Sequence, residues 1–244
     1  MSLSFSGPRP IRLDARPWPS GGRIGVLAPH PDDFDAAGLL LRHLDTAGLD
    51  IRLFVLSSSA NGVEDGFCDP PTPEAKAALR EDEQIAGCRF FGLAADRFEF
   101  LRLAVDEPGG YLRDNGASRR TLAAKLAPLA PDIVLLPNGN DTNPDHRLVH
   151  VWWKRLKGEL GLGAAALLIR DPKTIGARDD AYFPFGEAEA AWKAELLRFH
   201  RSQHQRNLNT RGHGFDERIL RVNRASAKRL GLAEPYAESF EIEE

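Results

Sequence analysis

The sequence predicts an α/β fold: a Rossmann-like, open, mostly parallel sheet flanked by helices, with a helical C-terminal part. Apolar, β-branched runs alternate with helix-patterned segments from Gly22 to Arg170, the pattern of strand–helix–strand units. The strand-like runs end in turn or small polar residues, as buried parallel strands do. Two of those ends carry clusters of histidine and aspartate.

In chain order, "GRIGVLAP" (22–29) reads as the first strand and "FDAAGLLLRHLDTAG" as a helix closed by Gly48. "DIRLFVLSSSANG" (50–62) is the next strand. Thr72 as N-cap and Pro73 at the first helical position open a second helix, with Ala78, Leu79, Ile85 and Phe90 near one face. "DRFEFLRLAV" (96–105) reads as a strand, "SRRTLAAKLAPLA" as a helix and "PDIVLLPN" (131–138) as a buried strand. "HRLVHVWWKRLKGEL" follows as a helix and "AAALLIR" (164–170) as a strand. "AEAAWKAELLRFHRSQHQRN" and "DERILRVNRASAKRLG" are helical, and "YAESFEIEE" is expected to add an edge strand. No repeat or linker divides the chain, so residues 1–244 are read as one domain, with 1–21 an irregular N-terminal arm.

A chain of 244 residues, 42% hydrophobic, is large enough for one substantial core. Its net charge of −3 gives no global attraction to nucleic acid or anionic lipid, which favours a small-molecule partner. No apolar run reaches the roughly 18 residues of a membrane span, and the N-terminus lacks a leader-like apolar core. The two cysteines, Cys68 and Cys88, form neither a disulfide framework nor a zinc motif, so a reducing cytoplasm is the expected location.

Ligands of open α/β sheets bind outside the carboxyl ends of the strands. There "PHPDD" (29–33) and "PNGNDTNPDHR" (137–147) bring a His/Asp group and a distant Asp/His group to one end of the sheet. His30, Asp33 and His146 supply two nitrogens and one carboxylate, the three-ligand set of a catalytic zinc that keeps one position open. Asp32, a carboxylate beside the metal and not needed as ligand, is placed to act as general base. Adjacent aspartates after a strand also suit a helix N-terminus, and Asn143 before Pro144 reads as an N-cap.

These residues, with "LREDEQIAGCRFFGL" on the second helix and "HRSQ" near the end, occur in the order seen in the LmbE-like, or PIG-L, zinc-dependent N-deacetylases, which the chain resembles. The resemblance runs from about Arg23 to Phe240. It implies that His30, Asp33 and His146 hold Zn2+ or another divalent metal, and that Asp32 is the general base in attack of a metal-held water on an N-acetylated amino sugar. It matches Arg80 and Glu83 to an Arg/Glu pair of the second helix and "YAESF" to a closing strand. Homo-oligomers would be in keeping with the family, although no interface is legible. Two positions depart from the pattern. Phe34 stands where the family has glutamate, with Asp35 as the candidate replacement. Asn143 stands where it commonly has histidine; an asparagine can donate an N–H to an oxyanion but cannot deliver a proton.

Blander readings stand beside these. Arg80 and Glu83, three apart on a charged helix, suit a solvated ion pair, and His200, Ser202 and Gln203 suit a helix end as well as a site wall. In "GARDDAYFPFG" (176–186), read as a loop, Tyr182 and Phe183 suit sugar stacking or core plugging equally. "EPGGYLRDNGASRR" (107–120) is a candidate pocket rim. A non-catalytic sugar-binding relative, a metal-dependent phosphoesterase and a non-haem iron oxygenase are the rival classes.

Overall fold

The computed structural model describes residues 5–107 and 109–244; residues 1–4 of the expected arm and Pro108 of the expected rim lie outside them. Its strands are β1 (Ile11–Arg12), β2 (Arg23–Ala28), β3 (Asp50–Val55), β4 (Phe98–Phe100), β5 (Ile133–Pro137), β6 (Ala165–Ile169), β7 (Ala181–Phe185) and β8 (Tyr236–Glu243). They form one sheet in the order β1-β7-β8-β6-β5-β2-β3-β4, parallel except for β8. The helices are α1 (Gly38–Thr46), α2 (Pro73–Phe91), α3 (Gly116–Leu129), α4 (Pro144–Glu159), α5 (Glu187–Arg198), α6 (Arg201–Arg211) and α7 (Phe215–Leu230). None among the described residues is long and apolar enough to cross a membrane.

Strand alternation builds the two halves of the core. Ile24, Val26, Ile51, Leu53, Ile133 and Leu135 pack with α1, α2 and α5 on one face. Leu27, Phe54, Val134 and Leu136 pack with Leu122 of α3 and with Trp152 and Trp153 of α4 on the other. Both faces are covered, which is why these strands read as continuous apolar runs. Local signals set the helix starts: the Thr72 hydroxyl accepts from Ala75 N–H, and the Asn143 side chain accepts from Asp145 N–H, each with proline at the helix start.

Four expectations are corrected. The β4 strand is shorter than 96–105 because Arg102 turns to φ 45°, although Leu101 and Leu103 still donate to Val55 O and Leu56 O. The arm contributes β1, which pairs with β7. The 176–186 segment contains strand β7 instead of being all loop, and Pro184 falls past the two-residue reach of β1, where a missing N–H is tolerated. Finally, β8 is an interior strand, antiparallel to both β6 and β7.

The polar centre of β8 is satisfied within the interior. Glu238, 2% exposed, accepts from the backbone N–H groups of Leu39 (3.0 Å) and Leu40 (2.9 Å) at the start of α1, whose own N-cap position, Ala37, has no capping side chain. Lys193 of α5 donates to Glu238 Oε1 and to Ala36 O, both at 2.6 Å. A buried pair of this kind is costly to break from one side. Replacing Lys193 by Met should therefore destabilise the protein by about 3–5 kcal/mol in urea unfolding. The double variant Lys193→Met/Glu238→Gln, which keeps an acceptor for α1 without the charge, should recover part of that loss.

Candidate active site

Strands β2 and β5 are parallel neighbours, with Val26 opposite Leu135, so the segments leaving their carboxyl ends meet. The first carries His30 and Asp33; the second passes through Asp141 to His146 on the first turn of α4. The two imidazole centroids lie 5.5 Å apart. The Asp33 carboxylate bridges them, with Oδ2 3.2 Å from His30 Nδ1 and Oδ1 3.4 Å from His146 Nε2.

Each imidazole is held from behind by another carboxylate. His30 Nε2 lies 2.8 Å from Asp145 Oδ2, and Asp145 Oδ1 is itself fixed by Leu112 N–H at 2.8 Å. His146 Nδ1 lies 3.2 Å from Asp141 Oδ2 and 3.6 Å from Asp171 Oδ2. Burial opposes the charged imidazole, yet Asp33, Asp141 and Asp171 outweigh it and push the His146 pKa up to about 10. Burial likewise opposes the charged Asp33, but His146 and His30 hold its carboxyl well below the usual range. Asp171 is pushed up to about 6, burial being the main cause. The cluster is thus an anionic cage calling for positive charge.

A divalent metal fits this cage. The donor atoms of His30, Asp33 and His146 lie within 4.8 Å of one another, and among the described residues the group Asp141, His146 and Asp171 meets the same criterion. The first group has the two imidazoles and one carboxylate of an open metal site. Its His146 Nε2 is buried without a hydrogen-bond partner, a donor atom left for a ligand. The outer carboxylates Asp141 and Asp145 orient the rings, the usual support of metal-bound histidine.

Asp32 lies beside this set on a backbone of φ 106°, a conformation that costs an L-residue energy and persists only where neighbours enforce it. Helix α2 enforces it. Gln84 Oε1 accepts from Asp32 N–H at 2.9 Å, while Arg80 donates to Pro31 O and lies 3.3 Å from Asp32 Oδ1. Arg80 and Glu83 are therefore not a solvated pair: they are 1% and 2% exposed and act on different partners. Glu83 accepts from Ser202 N–H and Oγ–H, both at 2.7 Å, which caps α6. Its neighbour His200 pairs with Asp35, both fully buried. Phe34 is buried edge-on to Phe91, with 5.0 Å between centroids.

A cleft of about 220 Å³ opens over these groups, lined by His30, Asp32, Asp33, Arg80, Asn143 and Asp145 among others. The Oδ1 atom of Asn143 is spent on capping α4, which leaves its Nδ2 donor without a protein partner among the described residues. Tyr182 and Phe183 do not line the cleft; they belong to β7, with Phe183 in the core. The structure places other residues there that sequence reasoning did not single out: Tyr111, 48% exposed, and the arginines of α6 and α7. Tyr111 lies in the turn-rich 107–120 segment. The signal for α6 was its sequence, "RSQHQRNLNTR", which has almost no apolar face.

The profile of the PIG-L family, described as GlcNAc-PI de-N-acetylase, matches residues 26–156, more than half of the chain. The chain belongs to the PIG-L family. That segment contains both histidine-bearing loops, Asp32 and Arg80. No curated protein matches the chain significantly by sequence. Solved structures share the PIG-L fold. N,N'-diacetylchitobiose deacetylase from Pyrococcus horikoshii is 18% identical, with 93% of this chain and 85% of that one covered and a TM-score of 0.74. The conserved protein TT1542 from Thermus thermophilus is 26% identical over 89% of this chain and 93% of its own, with a TM-score of 0.61. The 4-carboxy-2-hydroxymuconate hydratase GalB from Pseudomonas putida is 17% identical over 91% and 95%, with a TM-score of 0.68.

Because Asp145 orients His30, Asp145→Asn should weaken metal binding by about 10- to 100-fold in a competitive chelator titration. The Leu112 contact can persist on the asparagine oxygen, so the melting temperature of the metal-free variant should change little.

Proposed function

We propose that this chain is a metal-dependent hydrolase that removes the acetyl group from an N-acetylated amino sugar or sugar conjugate. One observation carries the reading: in a PIG-L chain, His30, Asp33 and His146 converge with a free Nε2, and a strained carboxylate, Asp32, stands beside them. His30, Asp33 and His146 would hold the ion, zinc being the expected one. A cation there supplies Lewis acidity toward the amide carbonyl and toward water.

The remaining work falls to the chain's own side chains. Asp32 takes a proton from the attacking water and returns it to the departing nitrogen as the C–N bond breaks, releasing acetate and a free amine. Both transfers fall to it because Asn143, at the position where the family commonly has histidine, has no proton to deliver. Asn143 Nδ2 instead donates a hydrogen bond to the oxygen that gains negative charge. Arg80 fixes the Asp32 carboxylate from a buried position. Tyr111, exposed on the rim, offers a ring face to a sugar. The free thiols of Cys68 and Cys88 suit a reducing cytoplasm.

The test is acetate release from a panel of N-acetylglucosamine conjugates, with metal content measured on the same samples. Asp32→Asn should lower kcat by about 10²- to 10⁴-fold while metal stoichiometry stays at the wild-type value. Loss of metal together with activity would make Asp32 a ligand. No acetate from any conjugate, with metal bound, would replace the hydrolase by a sugar-binding module.

A further inference from the structure

The cleft over the histidines is lined as well by residues of α6, α7 and the loop after β6. Arg206 and Arg211 of α6, Arg218 of α7 and Lys173 of the loop all line the same cavity as His30 and Asp33. None of the four has a carboxylate within ion-pair distance among the described residues. The contrast with nearby arginines is direct: Arg198 holds Asp216 at 2.7 Å, Arg229 holds Asp179 at 3.0 Å, and Arg221 holds Glu217.

The hydrogen bonds of the cleft arginines leave most of their donors open. Arg218 reaches only Asn207 Oδ1, at 3.5 Å. Arg206 reaches Gly62 O at 3.4 Å, and Arg211 reaches Thr210 Oγ1 at 2.8 Å. Phe215 and Ile219 line the same cavity; Arg218 is half-buried, while Arg206 and Arg211 are exposed. Burial and then repulsion from Arg211 lower the Arg218 pKa, against a smaller pull from Asp171 and Asp32. Three guanidiniums lining one cavity with no carboxylate in ion-pair contact mark a place for an oxyanion, which a planar fork of donors binds in bidentate fashion.

We propose that the substrate carries an anionic substituent, a phosphate or a carboxylate, which docks on Arg206, Arg211 and Arg218 while its acetamido group faces His30 and His146. The second half of that statement rests on the deacetylase reading; the first half does not. The His/Asp group then takes the amide and the arginines take the charge. Neutral N-acetyl sugars offer these guanidiniums no opposite charge, so the arginines favour charged substrates over them.

The experiment is isothermal titration calorimetry of the metal-loaded protein at low ionic strength with N-acetylglucosamine, N-acetylglucosamine 6-phosphate and N-acetylmuramic acid. Acetate release is followed on the same three compounds. At least one charged sugar should bind tenfold or more tightly than the neutral one. Which of the two gains more separates phosphate from carboxylate recognition. That preference should shrink with added salt and fall tenfold or more in Arg206→Gln/Arg218→Gln, with the single variant Arg206→Gln, altered only at an exposed position, showing a smaller drop. Equal binding of all three sugars, binding of none, or a preference unchanged in the double variant that still melts cooperatively would overturn the proposal. The two readings fail separately. A charge preference without acetate release keeps the arginine site and removes the deacetylase, whereas equal acetate release from neutral and charged sugars keeps the deacetylase and removes the arginine site.

Discussion

Two imidazoles and a shared carboxylate, buried side by side at the carboxyl ends of neighbouring parallel strands, are the constraint to which the surrounding structure answers. Taking such groups out of water is costly unless each is matched by an opposite charge or a hydrogen bond. Here every ring nitrogen has a carboxylate oxygen within 3.4 Å, and all but one are matched. Asp145 stands behind His30 and Asp141 behind His146, and those carboxylates are in turn held by Leu112 N–H and Asn143 N–H. The exception, His146 Nε2, faces Asp33 from 3.4 Å without a hydrogen bond. The polar interior of this end of the sheet is therefore a network of matched histidines and carboxylates with the donor set to hold a cation, assembled from two loops that the β2–β5 pairing brings together.

Helix α2 does a second task through its buried face. Arg80, Glu83 and Gln84 share that face; the first and last hold the loop that carries Asp32, and the middle one caps α6. The strained φ of Asp32 is thus coupled to the helix that builds the cationic wall. Asp35 belongs to the same network through His200 and Gln84. It places a carboxylate one residue after the position where the family has glutamate, while Phe34 turns into the core. Asn143 divides its amide between roles: the oxygen starts α4 and the nitrogen remains for the cleft.

Much of this was legible in the sequence. The core strands were visible because parallel strands covered on both faces must be apolar at every position, and the "PHPDD" and "NPDH" clusters stood out as charge placed against such runs. The N-caps at Thr72 and Asn143 were visible for the same local reason. Long-range polar contacts were not. Glu238 and Lys193 look like surface residues until β8 sets Glu238 against the start of α1 and α5 brings Lys193 onto it. Arg80 and Glu83 have the spacing of a solvated pair, and only the packing of α2 against the His30 loop and α6 separates their partners. Tyr182 and Phe183 misled because an aromatic run containing proline resembles a loop; its pairing with β8 makes it a strand with one side in the core.

Folds of this kind are shared by chains with different activities, a chitobiose deacetylase and a muconate hydratase among them, so the architecture alone does not choose the chemistry. The choice rests on the PIG-L match and on what sits between His30 and His146. The most direct test is anomalous diffraction at a metal edge from crystals of the purified protein. The account predicts one peak within about 2.0–2.2 Å of His30 Nδ1, an Asp33 oxygen and His146 Nε2. A peak lodged instead among Asp141, His146 Nδ1 and Asp171, or no peak in metal-supplemented crystals with His146 Nε2 still unpartnered, would contradict it.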